Sequence, residues 1–357
     1  MPKKIRVAYL SNEWTRLPNE GLIPGGCTYY RCFLPMHAAR FDGAMGRPAW
    51  TSQYGFGVNE GSDKATFGYS VVVLKQIMDR WLPHQIEVAQ ALGQKIIVDV
   101  DDFYHDLHPA NNAYKTTDPE VNKVRNRDIY EQIIRSADML IVSTPELMNF
   151  YGGWNKNVRM IRNSVYPSQF TKREVTREKP VIGWVGALGY RSGDIETLRT
   201  WLPDFLEDND LIFQHSGHVP SHGDFAEQSG INPERLRTLP MQPMNRYHLL
   251  FQMDIGLVPL NDIPFNRAKS FIKGLEYAAS GIPFVAQALP EYEKLWEDGV
   301  GLVAVSPEDW VEKVGSLLDY KTRKRAAGAN YAMMLKHHTI TQREDEWRQV
   351  ILDTAEG

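Results

Sequence analysis

The chain has 357 residues, 43% of them hydrophobic and 24% charged, with a formal net charge of −4 at pH 7. That length favours two domains, each large enough for its own core, and the composition excludes a disordered chain. The mild negative charge, with no long run of Lys or Arg, excludes a whole-surface attraction to nucleic acid or to an anionic membrane.

The two cysteines, Cys27 and Cys32, do not form a CxxC pair and have no second pair to complete a zinc site. Two thiols in a chain of this size fit a reducing compartment. The first strand-like run, residues 5–10, is too short for a signal-peptide core, and no stretch of 18 apolar residues is present to span a membrane. These features read as a cytoplasmic protein.

From there, short β-branched runs alternate with amphipathic segments. Strands are expected at residues 5–10, 69–74, 95–100, 139–143 and 158–161, and helices at 28–39, 84–92, 121–136 and 145–151. Residues 166–179 are polar and without apolar periodicity. The alternation then restarts, with strands at 181–185, 211–215, 236–239, 255–260, 283–286 and 302–305, and helices at 195–206, 245–252, 269–280 and 309–318. Alternating strands and helices predict parallel βαβ units. The fold class is therefore α/β, with two doubly wound Rossmann-like domains facing a cleft. The division is 1–168, a linker at 169–179, and 180–338. Ligands of such sheets bind beyond the strand C-termini, so chemistry-bearing residues are sought just after strands.

The densest such segment is NRAKSFIKGLE, Asn266 to Glu276. Ser270 is placed to cap or begin a helix. Lys269 and Lys273, four apart, are expected to share one face near its positive end, where two cations oppose the macrodipole unless an anion such as a diphosphate sits there. Glu276, one turn on, could accept two ribose hydroxyls; the plain alternative is a solvated face with an i,i+3 ion pair.

Val181 to Asp194, VIGWVGALGYRSGD, runs from a strand into a loop with Gly186, Gly189 and Arg191, a guanidinium suited to bidentate contact with a diphosphate. Ser192 or Asp194 could cap the helix expected at 195–206. In the first half, Gly25 and Gly26 precede Thr28-Tyr29-Tyr30-Arg31. Asp99-Val100-Asp101-Asp102 closes a strand, with Asp99 and Asp101 on one face. Neighbouring carboxylates need a cation, a donor-rich sugar or water, so a metal-binding DxD, sugar recognition by Asp101 and Asp102, and plain loop chemistry all stay open. His218 ends another strand and could line the cleft. Thr144 and Pro145 form a helix start.

The stretch KSFIKGLEYAASGIPFVAQALPEY, Lys269 to Tyr292, resembles the donor-binding segment of glycosyltransferase family 4 and its relatives of the GT-B fold. The resemblance implies that Glu276 holds the nucleotide ribose and that Lys273 lies near the phosphates. It implies that Arg191 takes charge from the leaving diphosphate, and that Gly25, Gly26, Gly186, Asn266, Lys269 and Ser270 line the nucleotide-sugar site. The resemblance extends to residues 25–31, and there it implies that the glycines let backbone approach a sugar and that Arg31 could face the cleft. Asn163 matches an asparagine before the family's linker, and the closing helix, 341–352 within 339–357, is expected to pack back on the first domain. The family often carries a second glutamate eight positions before Glu276; here that position is Ala268. The implied reaction moves a sugar from a nucleotide diphosphate sugar to a hydroxyl acceptor, with retention and without a cofactor or an obligatory Mg or Mn ion. No catalytic base is assigned. A sugar-nucleotide epimerase, a metal-dependent transferase built on Asp99 and Asp101, and a non-catalytic nucleotide-sugar-binding protein are the rival readings. Base, sugar and acceptor are not readable.

Overall fold

A computed structural model describes residues 4–60, 65–118, 120, 122, 123, 125–191 and 193–357. Ser192 and Val121, named above as a helix cap and a helix start, lie outside these.

The first sheet has seven strands: β1 (Arg6–Ser11), β4 (Asp42–Thr51), β5 (Gly55–Asn59), β6 (Val71–Lys75), β7 (Lys95–Val100), β8 (Met139–Val142) and β9 (Val158–Met160). Their order is β5-β4-β1-β6-β7-β8-β9. All neighbours are parallel except β4 and β5. A separate antiparallel hairpin, β2 (Trp14–Leu17) with β3 (Gly21–Pro24), projects between β1 and the first helix. The second sheet is wholly parallel and runs β12-β11-β10-β13-β14-β15. Its strands are β10 (Val181–Val185), β11 (Ile212–His218), β12 (Leu236–Pro240), β13 (Ile255–Val258), β14 (Phe284–Gln287) and β15 (Leu302–Ala304). The central strands are buried on both faces, as their unbroken Val/Ile/Leu runs require.

Sequence periodicity misses β2 to β5. These strands lack alternation: Asp42–Thr51 carries two glycines and a proline and sits half-exposed near the sheet edge. The segment expected as one helix at 195–206 is a 3₁₀ turn, Glu196–Leu198, followed by an α-helix, Leu202–Asp208, and the segment at 245–252 is the 3₁₀ helix Met244–Leu250.

Each sheet changes winding direction beside its first strand: β1 lies between β4 and β6, and β10 lies between β11 and β13. Crevices at such switch points are where doubly wound sheets bind ligands. The last helix, Glu344–Glu356, returns to the first sheet. Trp347 is buried there under the Arg31 guanidinium, and Arg348 donates to the Ala39 carbonyl.

Candidate functional site at the seam between the sheets

The helix after β13, Ile272–Ala279, is held at a fixed height over the second sheet. The Tyr277 hydroxyl accepts from the Val185 amide at 3.0 Å and donates to the Leu257 carbonyl at 3.1 Å, tying helix to β10 and β13 at once. Gly256 admits that ring, since a β-carbon there would lie 2.7 Å from it. The helix ends in a Schellman turn. Gly281 takes φ +70°, its amide donates to the Ala278 carbonyl, and the Ile282 amide donates to the Tyr277 carbonyl. Gly-Ile-Pro therefore stops the helix and feeds β14.

Glu276 is 3% exposed, and both of its carboxylate oxygens are engaged. Oε1 accepts from the Tyr30 hydroxyl of the first domain at 2.8 Å. Oε2 accepts from Lys273 Nζ at 2.5 Å and from the Tyr247 hydroxyl at 3.3 Å, and Lys273 Nζ also reaches the Tyr247 oxygen at 2.8 Å. Burial and the adjacent Glu276 carboxylate push both phenols well above their ordinary range, so each stays protonated and able to donate. Lys273 and Glu276 thus face the seam, with tyrosine hydroxyls standing where sugar hydroxyls could.

Tyr30 reaches across because the first helix is not regular. Between α-helical Gly26–Thr28 and Leu34–Ala39, residues Tyr29–Phe33 wind as a π-turn. Such turns recur at functional sites because they re-aim side chains. Here the turn sends Tyr30 to the seam and Arg31 into the core.

Arg31, expected to face the cleft, is instead fully buried. Its Nε and Nη2 bind Asp99 at 2.7–3.1 Å, and Nη1 donates to the Ile161 carbonyl at 2.8 Å and to Asn163 Oδ1 at 3.0 Å. Asn163 Nδ2 then donates to Ser270 Oγ at 2.8 Å in the other domain. Arg31 therefore positions Asn163 and cannot touch a sugar. Ser270 is a contact between domains, and the helix N-cap is Phe271, without a side-chain capping bond. The paired carboxylates have found their cations: Asp101 Oδ1 takes Lys75 Nζ at 2.5 Å, with Lys75 fully buried. The DxD arrangement is thus braced by Arg31 and Lys75. Asp102, next along, has its carboxyl pushed up to about 6 by burial and by Asp101, against the pull of Lys269 and Arg191 from the second domain and of Lys75.

The two glycines behave differently from one another. A β-carbon at Gly25 would fall 2.5 Å from the Glu13 side chain, so that space belongs to Glu13, whose Oε2 accepts from the Thr28 amide at 3.0 Å. An internal carboxylate therefore occupies the helix end beside Gly25, which was expected to line the nucleotide-sugar site. Gly26 has open space beside it.

Lys269 lies before the helix, so it does not share a helical face with Lys273 as four-residue spacing implied. Its ammonium sits over the Phe265 ring at 4.7 Å and 3.7 Å from Asp194 Oδ2. Lys269 Nζ, Asp194 Oδ2 and Asn266 Oδ1 are all buried without a hydrogen bond. Asp194 Oδ1 is satisfied by Asn266 Nδ2 at 2.6 Å and by the Asn261 amide at 3.1 Å. Arg191 completes the group. Its guanidinium stacks on Trp184 at 5.2 Å, 4.0 Å from Asp194. Gly186 keeps that stack possible, because a β-carbon there would sit 2.6 Å from the Trp184 ring and 3.2 Å from Arg191. His215 Nε2 contacts the Gly186 carbonyl at 3.0 Å, and burial lowers that imidazole to about 4. His218 packs edge-on against His215, half-buried at the end of β11.

Tyr30, Tyr247, Glu13 and Lys75 were not picked out from sequence. Tyr30 and Tyr247 stood inside expected helices, where an aromatic reads as core.

Comparison with known proteins gives three findings. The family described as "Glycosyl transferase-like" matches residues 210–349. TuaH of Bacillus subtilis (strain 168), assigned as a teichuronic acid biosynthesis glycosyltransferase, is 28% identical over 120 residues, which span 33% of this chain and 29% of that protein. Among solved structures, sucrose-phosphate synthase from Thermosynechococcus elongatus superposes with a TM-score of 0.65 at 15% identity, covering 98% of this chain and 100% of the other. Anabaena Alr3699/HepE in complex with UDP does so with a TM-score of 0.62 at 12% identity, covering 99% of each. The chain has the GT-B fold.

Proposed function

From the GT-B architecture and the match of residues 210–349, we propose that the chain is a glycosyltransferase that moves a sugar from a nucleotide diphosphate sugar to an acceptor hydroxyl. The observation that carries this reading is the placing of Lys273 and Glu276 at the seam, beside the switch point of the second sheet. Glu276 would exchange the Tyr30 and Tyr247 hydroxyls for those of a ribose. Lys273, released from Glu276 in the same step, would turn to the diphosphate. Arg191 and Lys269 lie beyond it, after β10 and β13, and would take the charge that develops on the departing diphosphate, in a site from which closure excludes water. Asp102 and His218 are candidate contacts to the transferred sugar or acceptor. The HepE structures hold UDP and UDP-glucose, which favours a uridine nucleotide as the first donor to test here.

Retention of configuration and independence of Mg or Mn belong to the same proposal. Metal independence is supported by Asp99 and Asp101, the carboxylates of a DxD, being already neutralised by Arg31 and Lys75, whereas retention rests on the resemblance of the stretch Lys269 to Tyr292 alone. Transfer rather than mere binding is read out by turnover. The chain and its Glu276→Gln variant are screened for thermal stabilisation by UDP-, GDP-, ADP-, CMP- and dTDP-sugars, and sugar release is followed for whichever binds. A ligand held in the folded state raises the melting temperature by mass action. One nucleotide should do so in the native chain and much less in the variant. Failure of every nucleotide sugar to stabilise the native chain would sink the proposal.

A further inference from the structure

Where the chain returns from the second domain to the first, Thr339 pairs with Val165 in an isolated parallel β-bridge. Beside it is a cavity of about 350 Å³ lined by Arg162, Lys294, Lys336, His337, His338 and Arg343. Asp298 is its acidic member. Part of this charge is answered internally: Arg162 by Glu291, Lys294 by Asp298 and Arg343 Nη1 by Glu346. The rest is not. Among the described residues Lys336 has no ion pair. Arg343 Nε is buried without a hydrogen bond. His338 is 3% exposed and has no hydrogen bond at either ring nitrogen, although Nε2 lies 3.4 Å from Asp298.

Lys336 and His337 close the 18-residue helix Tyr320–His337, where cations complement the helix dipole. That accounts for those two residues and not for the orphaned donors of His338 and Arg343. Buried donors normally have partners, and their absence marks a missing ligand or water. A larger cavity, about 630 Å³, offers a contrast. Among its charged walls Arg159 pairs with Asp353, Arg135 with Glu131 and Asp138 with Lys95; Lys156 has no ion pair among the described residues, but no buried polar side-chain atom there lacks a hydrogen bond, unlike His338 and Arg343.

We propose that the smaller cavity is a second binding site, for a phosphate group, held by Lys336, Arg343 and the two histidines at the junction of the domains. A tetrahedral oxyanion supplies acceptors to the Arg343 Nε–H and to the single N–H of the His338 ring, which burial keeps neutral by lowering it to about 4, and a counter-charge to Lys336. The site also touches the donor helix. The His338 ring packs edge-on against Phe271, the N-cap residue of Ile272–Ala279, with centroids 5.3 Å apart. Occupancy would fix His338, and through it the start of the helix that carries Lys273 and Glu276. The phosphate is either free or part of a small phosphate ester.

Calorimetry of the full chain with inorganic phosphate, and separately with glycerol 3-phosphate, tests this and distinguishes the two sources. Lys336 and His337 are exposed, so Lys336→Ala and His337→Ala should fold normally. Each should weaken phosphate binding about tenfold, the value of one charge-assisted hydrogen bond. Lys273→Ala, at the donor site, should leave it unchanged. Binding of the ester as well as of phosphate marks an open pocket, and binding of phosphate alone marks a closed one; either supports the site. No heat with either probe overturns it. So does binding that Lys273→Ala abolishes and Lys336→Ala spares, which would place the anion in the donor site.

Discussion

Two buried clusters, one in each half of the molecule, hold their cations in opposite ways. In the first half Arg31 and Lys75 are fully enclosed and met by Asp99 and Asp101 at hydrogen-bonding distance, with Arg31's remaining donors spent on Ile161 and Asn163. In the second half Lys269 approaches Asp194 only to 3.7 Å, and Lys269 Nζ, Asp194 Oδ2 and Asn266 Oδ1 all lack partners. A buried charged atom without a hydrogen bond is costly even with a counter-ion nearby, as Lys269 and Arg191 are near Asp194. The satisfied pairs brace the fold. The unsatisfied group lies next to Arg191 and the switch point of the second sheet, where the proposed function would place an anionic ligand.

The largest effect should come from breaking the satisfied side. Arg31→Met leaves Asp99 buried without its partner and should destabilise the chain by roughly 3–5 kcal/mol, as loss of one member of a buried pair does. Urea unfolding measures this. If the comparison is right, the fraction that remains folded still binds donor. A variant of full stability with lost binding would move Arg31 to the ligand.

Lys269→Met probes the other side and should give the inverse pattern. Asp194 keeps its bonds to Asn266 and the Asn261 amide and has Arg191 at 4.0 Å, so stability should fall by roughly 1–3 kcal/mol, less than the loss expected for Arg31→Met. Nucleotide-diphosphate binding should weaken by about 1.5–3 kcal/mol, while the bare nucleoside binds as before. Equal losses for both ligands, or a large loss of stability, would erase the distinction between the halves.

His215 sharpens the comparison through pH. Burial holds its folded-state value near 4, below the ordinary histidine value near 6.5. The unfolded chain therefore takes up the proton first as pH falls. The stability that His215 contributes is complete above about pH 6.5 and is lost as pH drops toward 4. His215→Gln should flatten the fall in that window by up to one proton, about 1.4 kcal/mol per pH unit. An unchanged slope between pH 6.5 and 4 would show that the imidazole is already protonated or solvated.

The central parallel strands of both sheets, though not parallel β4, were legible because strands buried on both faces are continuous apolar runs. The helix bearing Lys273 and Glu276 was legible too, by its motif and its Gly-Ile-Pro stop. The regular helices Pro290–Glu297 and Tyr320–His337 were passed over, and much of what else escaped depends on local winding or on the partner domain. Residues 28–39 read as one helix, and no periodicity announces that a π-turn sends Tyr30 one way and Arg31 the other. Spacing placed Lys269 on the face of Lys273, yet the helix begins only at Ile272. Gly25 reads as room for a ligand until Glu13, twelve positions earlier, is seen to fill it. Hairpin β2–β3 and strands β4 and β5 carry too much polar and glycine content for a two-residue period to show.

The smallest predicted effect concerns the contact that joins the halves. The 2.8 Å bond from Tyr30 to Glu276 spans the seam and occupies an oxygen that a ribose would need. Donor binding must therefore break it, and the bond's worth is subtracted from the donor's affinity. Tyr30→Phe keeps the ring and its packing against Tyr29 while deleting the hydroxyl. It should cost the free protein about 1 kcal/mol of stability and tighten donor binding by about the same amount, roughly fivefold. Titration of the variant with the nucleotide sugar chosen by the screen gives the number. Weaker binding would mean that the hydroxyl touches the donor. In that case Tyr30 belongs with Lys269 and Arg191 among the groups kept for the ligand, and not with Arg31 and Lys75 among those that hold the fold.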